Sequence, residues 1–201
     1  MEIEFDHNKI SFQKELTIYD TLALEFGEIL QRNEIKYVFV SGYIAILFGR
    51  SRISEDIDVL VEKISFDRFL SLWESLQNRY YCHNTSSPKD AYDNYLDNNI
   101  AIRFSLKGIV IPNVEFKWAS TEQQKEALES SLSVVLGGRA LQISSLEIQI
   151  AFKLYLNSNK DIEDARYLFE LFKDRLDMKA LKIHIIELNI PLNDAQTKLG
   201  W

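Results

Sequence analysis

Two aspartates, Asp56 and Asp58, stand at the head of a short apolar run, Ile57-Asp58-Val59-Leu60-Val61. The length and β-branched content of that run predict a strand over Ile57 to Val61. Because side chains alternate across a strand, both carboxylates project from one face while Ile57 and Val59 point to the other. Two carboxylates side by side repel, and burial without a counter-charge is costly for either. Mg2+, or Mn2+ in its place, suits such a pair, since it takes hard oxygen ligands and fills its remaining positions with water and phosphate oxygens. Upstream, Ser41-Gly42 interrupts the run Tyr37-Val38-Phe39-Val40, which reads as a buried strand. That turn offers a phosphate a close backbone approach, a hydroxyl donor and the amides that open the next helix. Tyr43 to Phe48 reads as a short buried helix, ended at Gly49 where positive φ is commonly needed.

The string of strand, small-residue turn, short helix closing in Gly49-Arg50, and Arg52-x-Ser54-x-Asp56-x-Asp58 resembles the nucleotidyltransferase fold of the polymerase-β superfamily. Its nearest likeness is to the small bacterial and archaeal branch that includes the AbiEii-like toxins. The superfamily usually carries Gly-Gly or Gly-Ser before Asp-x-Asp; here the pair is inverted to Ser41-Gly42. The resemblance implies an α/β fold of the α+β kind, a mixed sheet with flanking helices followed by a small C-terminal helical subdomain. The expected division is 1–142 for the nucleotidyltransferase core and 143–201 for the helices.

The resemblance also implies a site. Asp56, Asp58 and a third carboxylate on a neighbouring strand would bind the catalytic metal. Glu115, in Val114-Glu115-Phe116, is the candidate, although Asp is commoner at that place. An acid between two large apolar residues within a strand must face away from the core or be paired. Either Glu115 binds metal and helps deprotonate the acceptor hydroxyl, or it pairs with Lys117 or Arg103 on the same face and the enzyme is weak or inactive. Ser41 and Gly42 would hold the β and γ phosphates, with Arg52 and Ser54 beside them. For Arg50 and Arg52, a phosphate contact and a salt bridge to Asp56 or Glu55 both fit. Lys153, Lys160, Asp161 and Asp164 match the family's later motifs and complete the expected nucleotide-binding set. Lys153 lies among Phe152, Leu154 and Tyr155, so its amine is expected to reach out of an apolar face, to phosphate or to solvent. Asp161 and Asp164 open a helix, where a purely structural capping role also explains them.

The implied activity is metal-dependent transfer of a nucleoside monophosphate from a nucleoside triphosphate to a hydroxyl, releasing pyrophosphate. By resemblance the acceptor is a tRNA 3' end or a protein, with a cognate antitoxin as partner; a small molecule, as in aminoglycoside nucleotidyltransferases, also fits. A module that binds nucleotide or a partner without turnover is the competing reading, because a fold does not guarantee a chemistry.

With 201 residues, 46% of them hydrophobic, the chain can bury a substantial core and is not expected to be disordered. The formal charge of -7 argues against a broad grip on duplex nucleic acid, leaving room for a local basic groove of Arg50, Arg52, Lys153 and Lys160. No apolar run reaches membrane-span length and the start lacks a signal peptide, so a cytoplasmic protein with no membrane partner is expected. A single cysteine excludes an internal disulfide and argues against zinc.

The remaining elements must position this site. Amphipathic spacing predicts helices over Glu15 to Asn33, with Glu25 and Glu28 on a solvated face, and over Ser65 to Tyr80. Tyr81 to Asp90 reads as a loop that could border the cleft, and Tyr92 and Tyr95 as packing residues rather than base-stacking ones. Strands follow at Asn99 to Leu106 and Val110 to Trp118, then a helix at Thr121 to Ser130. A hairpin over Leu132 to Gln142 turns at Gly137-Gly138. From Ser144 on, only helices are expected, the first opened by a capping box Ser144-x-x-Glu147.

Overall fold

The computed structural model describes residues 3–6 and 8–201. Strands β1 (Ile3–Asp6), β2 (Lys9–Phe12), β3 (Tyr37–Val40), β4 (Asp56–Val61), β5 (Tyr80–Cys82), β6 (Ile102–Leu106), β7 (Asn113–Trp118), β8 (Leu132–Leu136) and β9 (Arg139–Ile143) form one mixed sheet. Their order is β1-β2-β8-β9-β3-β4-β7-β6-β5. Helices α1 (Ile18–Arg32), α2 (Gly42–Leu47), α3 (Phe66–Gln77), α4 (Pro88–Asp90) and α5 (Glu122–Glu129) fall between strands. After β9 come only helices: α6 (Leu146–Leu156), α7 (Asn159–Phe172), α8 (Met178–Glu187) and α9 (Leu192–Leu199).

Local chemistry accounts for the boundaries. Thr17 and Asp20 form a reciprocal capping box that starts α1, three residues inside the predicted limit. Gly137 and Gly138 take φ of 59° and 80°, the pair of positive values that a two-residue hairpin turn matched to strand twist demands. Gly49 sits at φ 99° just past α2, as its role in ending that helix requires. The expected capping box at Ser144 is corrected. Ser145 is the N-cap, accepting from the Ile148 amide, whereas Ser144 Oγ donates to Gln149 and Glu147 accepts from the Asp177 amide.

The two faces of the central strands enter different packing. Ile57, Val59 and Phe116 belong to the main core with Phe26 of α1 and Phe69 of α3; the Phe116 ring meets that of Phe26 edge to face and that of Phe69 at a tilt. Removing a ring such as that of Phe116 costs about 3–5 kcal/mol. Val38 and Leu60, on the opposite face, pack under Ala127 and Leu128 of α5 and Ile148 of α6. Alternation along β4 puts Asp56 and Asp58 on this second face, with Leu60. Glu25 and Glu28 are not simply solvated: they are half-buried and pair with Arg79 and Arg139 at 3.0 and 2.6 Å. The expected loop over 81–90 is partly ordered as β5 and α4, and none of it borders the cleft described below. Tyr92 and Tyr95 do pack, their hydroxyls donating to the carbonyls of Ile64 and Asn84. No helix among the described residues is long and apolar enough to cross a membrane.

Candidate functional site

β4 and β7 run parallel in a register that sets Asp56 beside Asn113 and Asp58 beside Glu115. Neighbouring strands lie about 4.8 Å apart, so Asp56, Asp58 and Glu115 share one patch of the face over which α5 and α6 lie. Burial, then Asp56, then Glu115 push the Asp58 carboxyl up to about 6. A hydrogen bond from the Ser41 hydroxyl and the more distant Lys153 charge oppose this only in part. The patch is thus short of positive charge. Hard oxygen ligands with unbalanced negative charge are the donor set a divalent cation of the magnesium type requires, and these residues fit one.

One cation does reach the patch. Arg103, directly across from Glu115 on β6, donates from Nε and Nη2 to a single oxygen, Glu115 Oε2, at 3.1 and 2.9 Å. This is the ion-pair alternative that the sequence left open, and Lys117 is not part of it. The ligand atoms of Asp56, Asp58 and Glu115 do not all lie within 4.8 Å of one another. Among the described residues, the one trio of acids and histidines whose ligand atoms all lie within 4.8 Å is elsewhere, Glu126, His184 and Glu187 on α5 and α8.

Asp58, Glu115 and Ser41 line a cleft of about 540 Å³ between the sheet and helices α5 and α6, with the end of α8 at its far wall. Its other charged residues are Lys117 and Glu187, so acids outnumber bases on the lining. Phe152 and Tyr155, stacked at 6.0 Å and both exposed, supply an aromatic wall. Ser54 is fixed just outside: Tyr19 donates to its carbonyl at 2.9 Å, and its hydroxyl makes a long contact of 3.5 Å to Asp56.

A second charged region lies behind the Ser41-Gly42 turn. Asp164, fully buried, takes ion pairs from Arg50, Arg52 and Lys153. Lys153 also bonds Asp161 at 2.7 Å, and Arg50 reaches Glu163. Burial lowers the pKa values of Lys153 and Arg52. Burial opposes the ionisation of Asp161, but hydrogen bonds from Lys153 and Ser158 outweigh it and hold its pKa below the ordinary value. The guanidinium of Arg52 lies over Gly42, about 3.0 Å from where a Cβ would sit, so a larger residue there would have to displace the arginine by a few tenths of an ångström.

Several sequence expectations change at this point. Lys153 does not reach out of its helix face: at 2% exposure it points inward, because two carboxylates await it there. Arg50 and Arg52 bridge to Asp164 rather than to Asp56 or Glu55. The basic groove is therefore consumed by the network, and Lys160 stays exposed, with only its backbone carbonyl in contact with Arg50. Asp161 is not itself the cap of α7: Ser158 is, its hydroxyl accepting from the Asp161 amide and donating to the Asp161 carboxylate, while Asp164 holds the arginines.

No family model matches the sequence, and no curated protein does. Solved structures do. An antigenic nucleotidyltransferase-like protein from Paracoccidioides brasiliensis superposes with a TM-score of 0.58 at 14% identity, covering 90% of this chain and 92% of that one. The antibiotic-resistance factor ANT(2'')-Ia, solved in complex with adenylyl-2''-tobramycin, gives 0.55 at 15% identity, over 84% of this chain and 95% of that one. The chain has the nucleotidyltransferase fold. Within this nucleotidyltransferase fold, the sequence reading missed two groups. Gln149 bonds the backbone of Ser41 on both sides. Its signal was a polar residue four positions before Lys153, within the apolar stretch Ile148 to Phe152. Glu126 and His184 lie far apart in sequence and left no signal.

Proposed function

We propose that this chain is a metal-dependent nucleotidyltransferase that moves a nucleoside monophosphate from a nucleoside triphosphate to a hydroxyl acceptor. The observation that carries the reading is the patch of Asp56, Asp58 and Glu115, three carboxylates on one face of two parallel strands, of which Asp58 and Glu115 line a cleft. Asp56 and Asp58, with Glu115, would hold Mg2+ or Mn2+. When bound, the metal supplies charge stabilisation to the attacking and leaving oxygens of an in-line displacement.

The protein's own groups do the rest. Ser41 and Gly42, with Arg52 above them and Ser54 beside Asp56, would seat the phosphates. Lys153, Asp161 and Asp164 serve that seat by fixing Arg52, and Lys160 is left at the rim. The acceptor oxygen attacks the α phosphorus, the bond to pyrophosphate breaks, and the hydroxyl proton passes to Glu115. The surplus of acids on the cleft lining disfavours a polyanion, so a small hydroxylated molecule or a protein side chain suits the acceptor better than a tRNA end. The adenylylated tobramycin in the ANT(2'')-Ia complex supports the small-molecule choice. A cytoplasmic toxin with a cognate antitoxin is the extension that the AbiEii-like motif string supports.

The Arg103–Glu115 pair favours one competitor, a module that binds nucleotide without turnover. Incubation with each α-labelled nucleoside triphosphate, Mg2+ or Mn2+, and separate pools of small hydroxylated molecules, protein and RNA distinguishes the two. Label is expected in one acceptor pool, lost in Asp56→Ala with circular dichroism unchanged. Mg2+-dependent nucleotide binding with no label in any pool supports the module instead.

A further inference from the structure

Ser41 has φ 64° and ψ −137°, a backbone region that glycine enters freely and other residues enter at a cost of about 1–3 kcal/mol. Such a conformation persists only where surrounding contacts impose it. Its own hydroxyl makes no cap to α2. The contact that imposes it comes from α6, 108 residues away: Gln149 Oε1 accepts from the Ser41 amide at 3.1 Å, and Gln149 Nε2 donates to the Ser41 carbonyl at 3.0 Å. Ser144 Oγ, fully buried, donates to the same Oε1 at 3.2 Å and fixes the plane of the carboxamide. Gln149 is itself 2% exposed.

The residue type is demanded by this arrangement. A carboxamide presents one donor and one acceptor side by side, matching one residue's carbonyl and amide. Glutamate would set a carboxylate oxygen against the Ser41 carbonyl, and leucine would leave both backbone groups unpaired beside the core. One turn further along the same helix face, Lys153 binds Asp164, which holds Arg52 over Gly42. One helix therefore bonds Ser41 directly and, through two ion pairs, reaches the arginine that lies over Gly42.

We infer that Gln149 is a positioning residue for nucleotidyl transfer: it acts through Ser41, holding the phosphate-seating turn in its left-handed form beside Asp58 and tying that turn to α6. This rests on the transferase reading above. Val40, the residue before the turn, pairs with Asp58 across β3 and β4, so the backbone that Gln149 holds lies beside that carboxylate.

The test is a two-by-two comparison of Gln149→Leu and Ser41→Gly, singly and together, below the melting temperature of the least stable variant. Glycine adopts the turn without help, so it should loosen the dependence on Gln149. Gln149→Leu is expected to raise KM for the nucleotide at least about tenfold with a smaller change in kcat, and to raise it only about twofold further in the Ser41→Gly background. Gln149→Glu should behave like Gln149→Leu despite its matched size. An unchanged KM in Gln149→Leu, or an equal increase in both backgrounds, overturns the inference. Hydrogen exchange of the Ser41 amide in the same variants needs no turnover: it should quicken at least about tenfold in Gln149→Leu, and an unchanged rate contradicts the strap itself. If the wild type transfers nothing to any acceptor, the transferase reading fails and the catalytic part of this inference with it, while the exchange rates still decide whether Gln149 holds Ser41.

Discussion

The two charged regions on either side of the Ser41-Gly42 turn are built on opposite plans. Behind the turn, Arg50, Arg52 and Lys153 meet the buried Asp161 and Asp164 and, at the surface, Glu163, so that charges of both signs cancel. In front of it, Asp56, Asp58 and Glu115 have one cation in direct contact, Arg103 on Glu115, which sits at the rim half exposed, while Arg52 and Lys153 act on the aspartates only from a distance. A balanced buried network is what a fold needs to fix a geometry, although such networks add little net stability over an apolar core. An unbalanced patch is a liability to the fold, and beside a cleft it is a candidate ligand site, which is the role proposed for it above. The contrast separates what is built to hold from what is built to bind.

The largest effect should come from unbalancing the balanced side. Asp164→Asn leaves two arginines and a lysine around a neutral amide, and a loss of about 3–5 kcal/mol is expected in chemical denaturation. A loss under about 1 kcal/mol would mean that the network is not structural.

Neutralising the other side should do the reverse. The pKa of Asp58, near 6, lies above its ordinary value of 3.8, so the folded chain holds that proton more tightly than the unfolded chain does. Its contribution to stability is then full below about pH 4 and lost as the pH rises through about 6. Asp58→Asn should therefore gain about 1–3 kcal/mol at neutral pH over the wild type, with the gain fading toward pH 4. Urea unfolding at several pH values would show it, and a variant less stable than the wild type at neutral pH would break the comparison.

Arg103→Gln probes the rim. The pair is too exposed for its loss to cost more than about 1 kcal/mol. Removing the patch's one direct cation should strengthen Mn2+ binding about two- to fivefold at low ionic strength. Weaker binding would mean that Arg103 orients Glu115 for the metal instead of competing with it.

How far the sequence carried depended on how local each signal was. The strand, turn, short helix and strand from Tyr37 to Val61 were legible because each has its own periodicity and a glycine or serine at its break. Glu115 could be placed on the carboxylate face from alternation, and the register of β7 against β4 then set it beside Asp58. Its choice of Arg103 was not legible, since metal and ion pair were both compatible with the same position. The N-terminal hairpin β1–β2 went unread because its four-residue strands are stabilised by parallel pairing of β2 with β8, more than a hundred residues away. Lys153 was misjudged for a related reason. An amine in an apolar helix points outward by default, and only the packing of α7 on α6 supplies the carboxylates that turn it inward.

The most direct measurement is calorimetric titration of Mn2+, at neutral pH and low ionic strength, into the wild type and Asp58→Asn, each checked for folding by its melting temperature. Binding to the wild type and its loss in a variant that melts higher are expected, because one carboxylate both binds the cation and burdens the fold. Equal binding by the two proteins, or a variant that melts lower, would contradict the assignment of this patch as the metal-holding side of a nucleotidyltransferase.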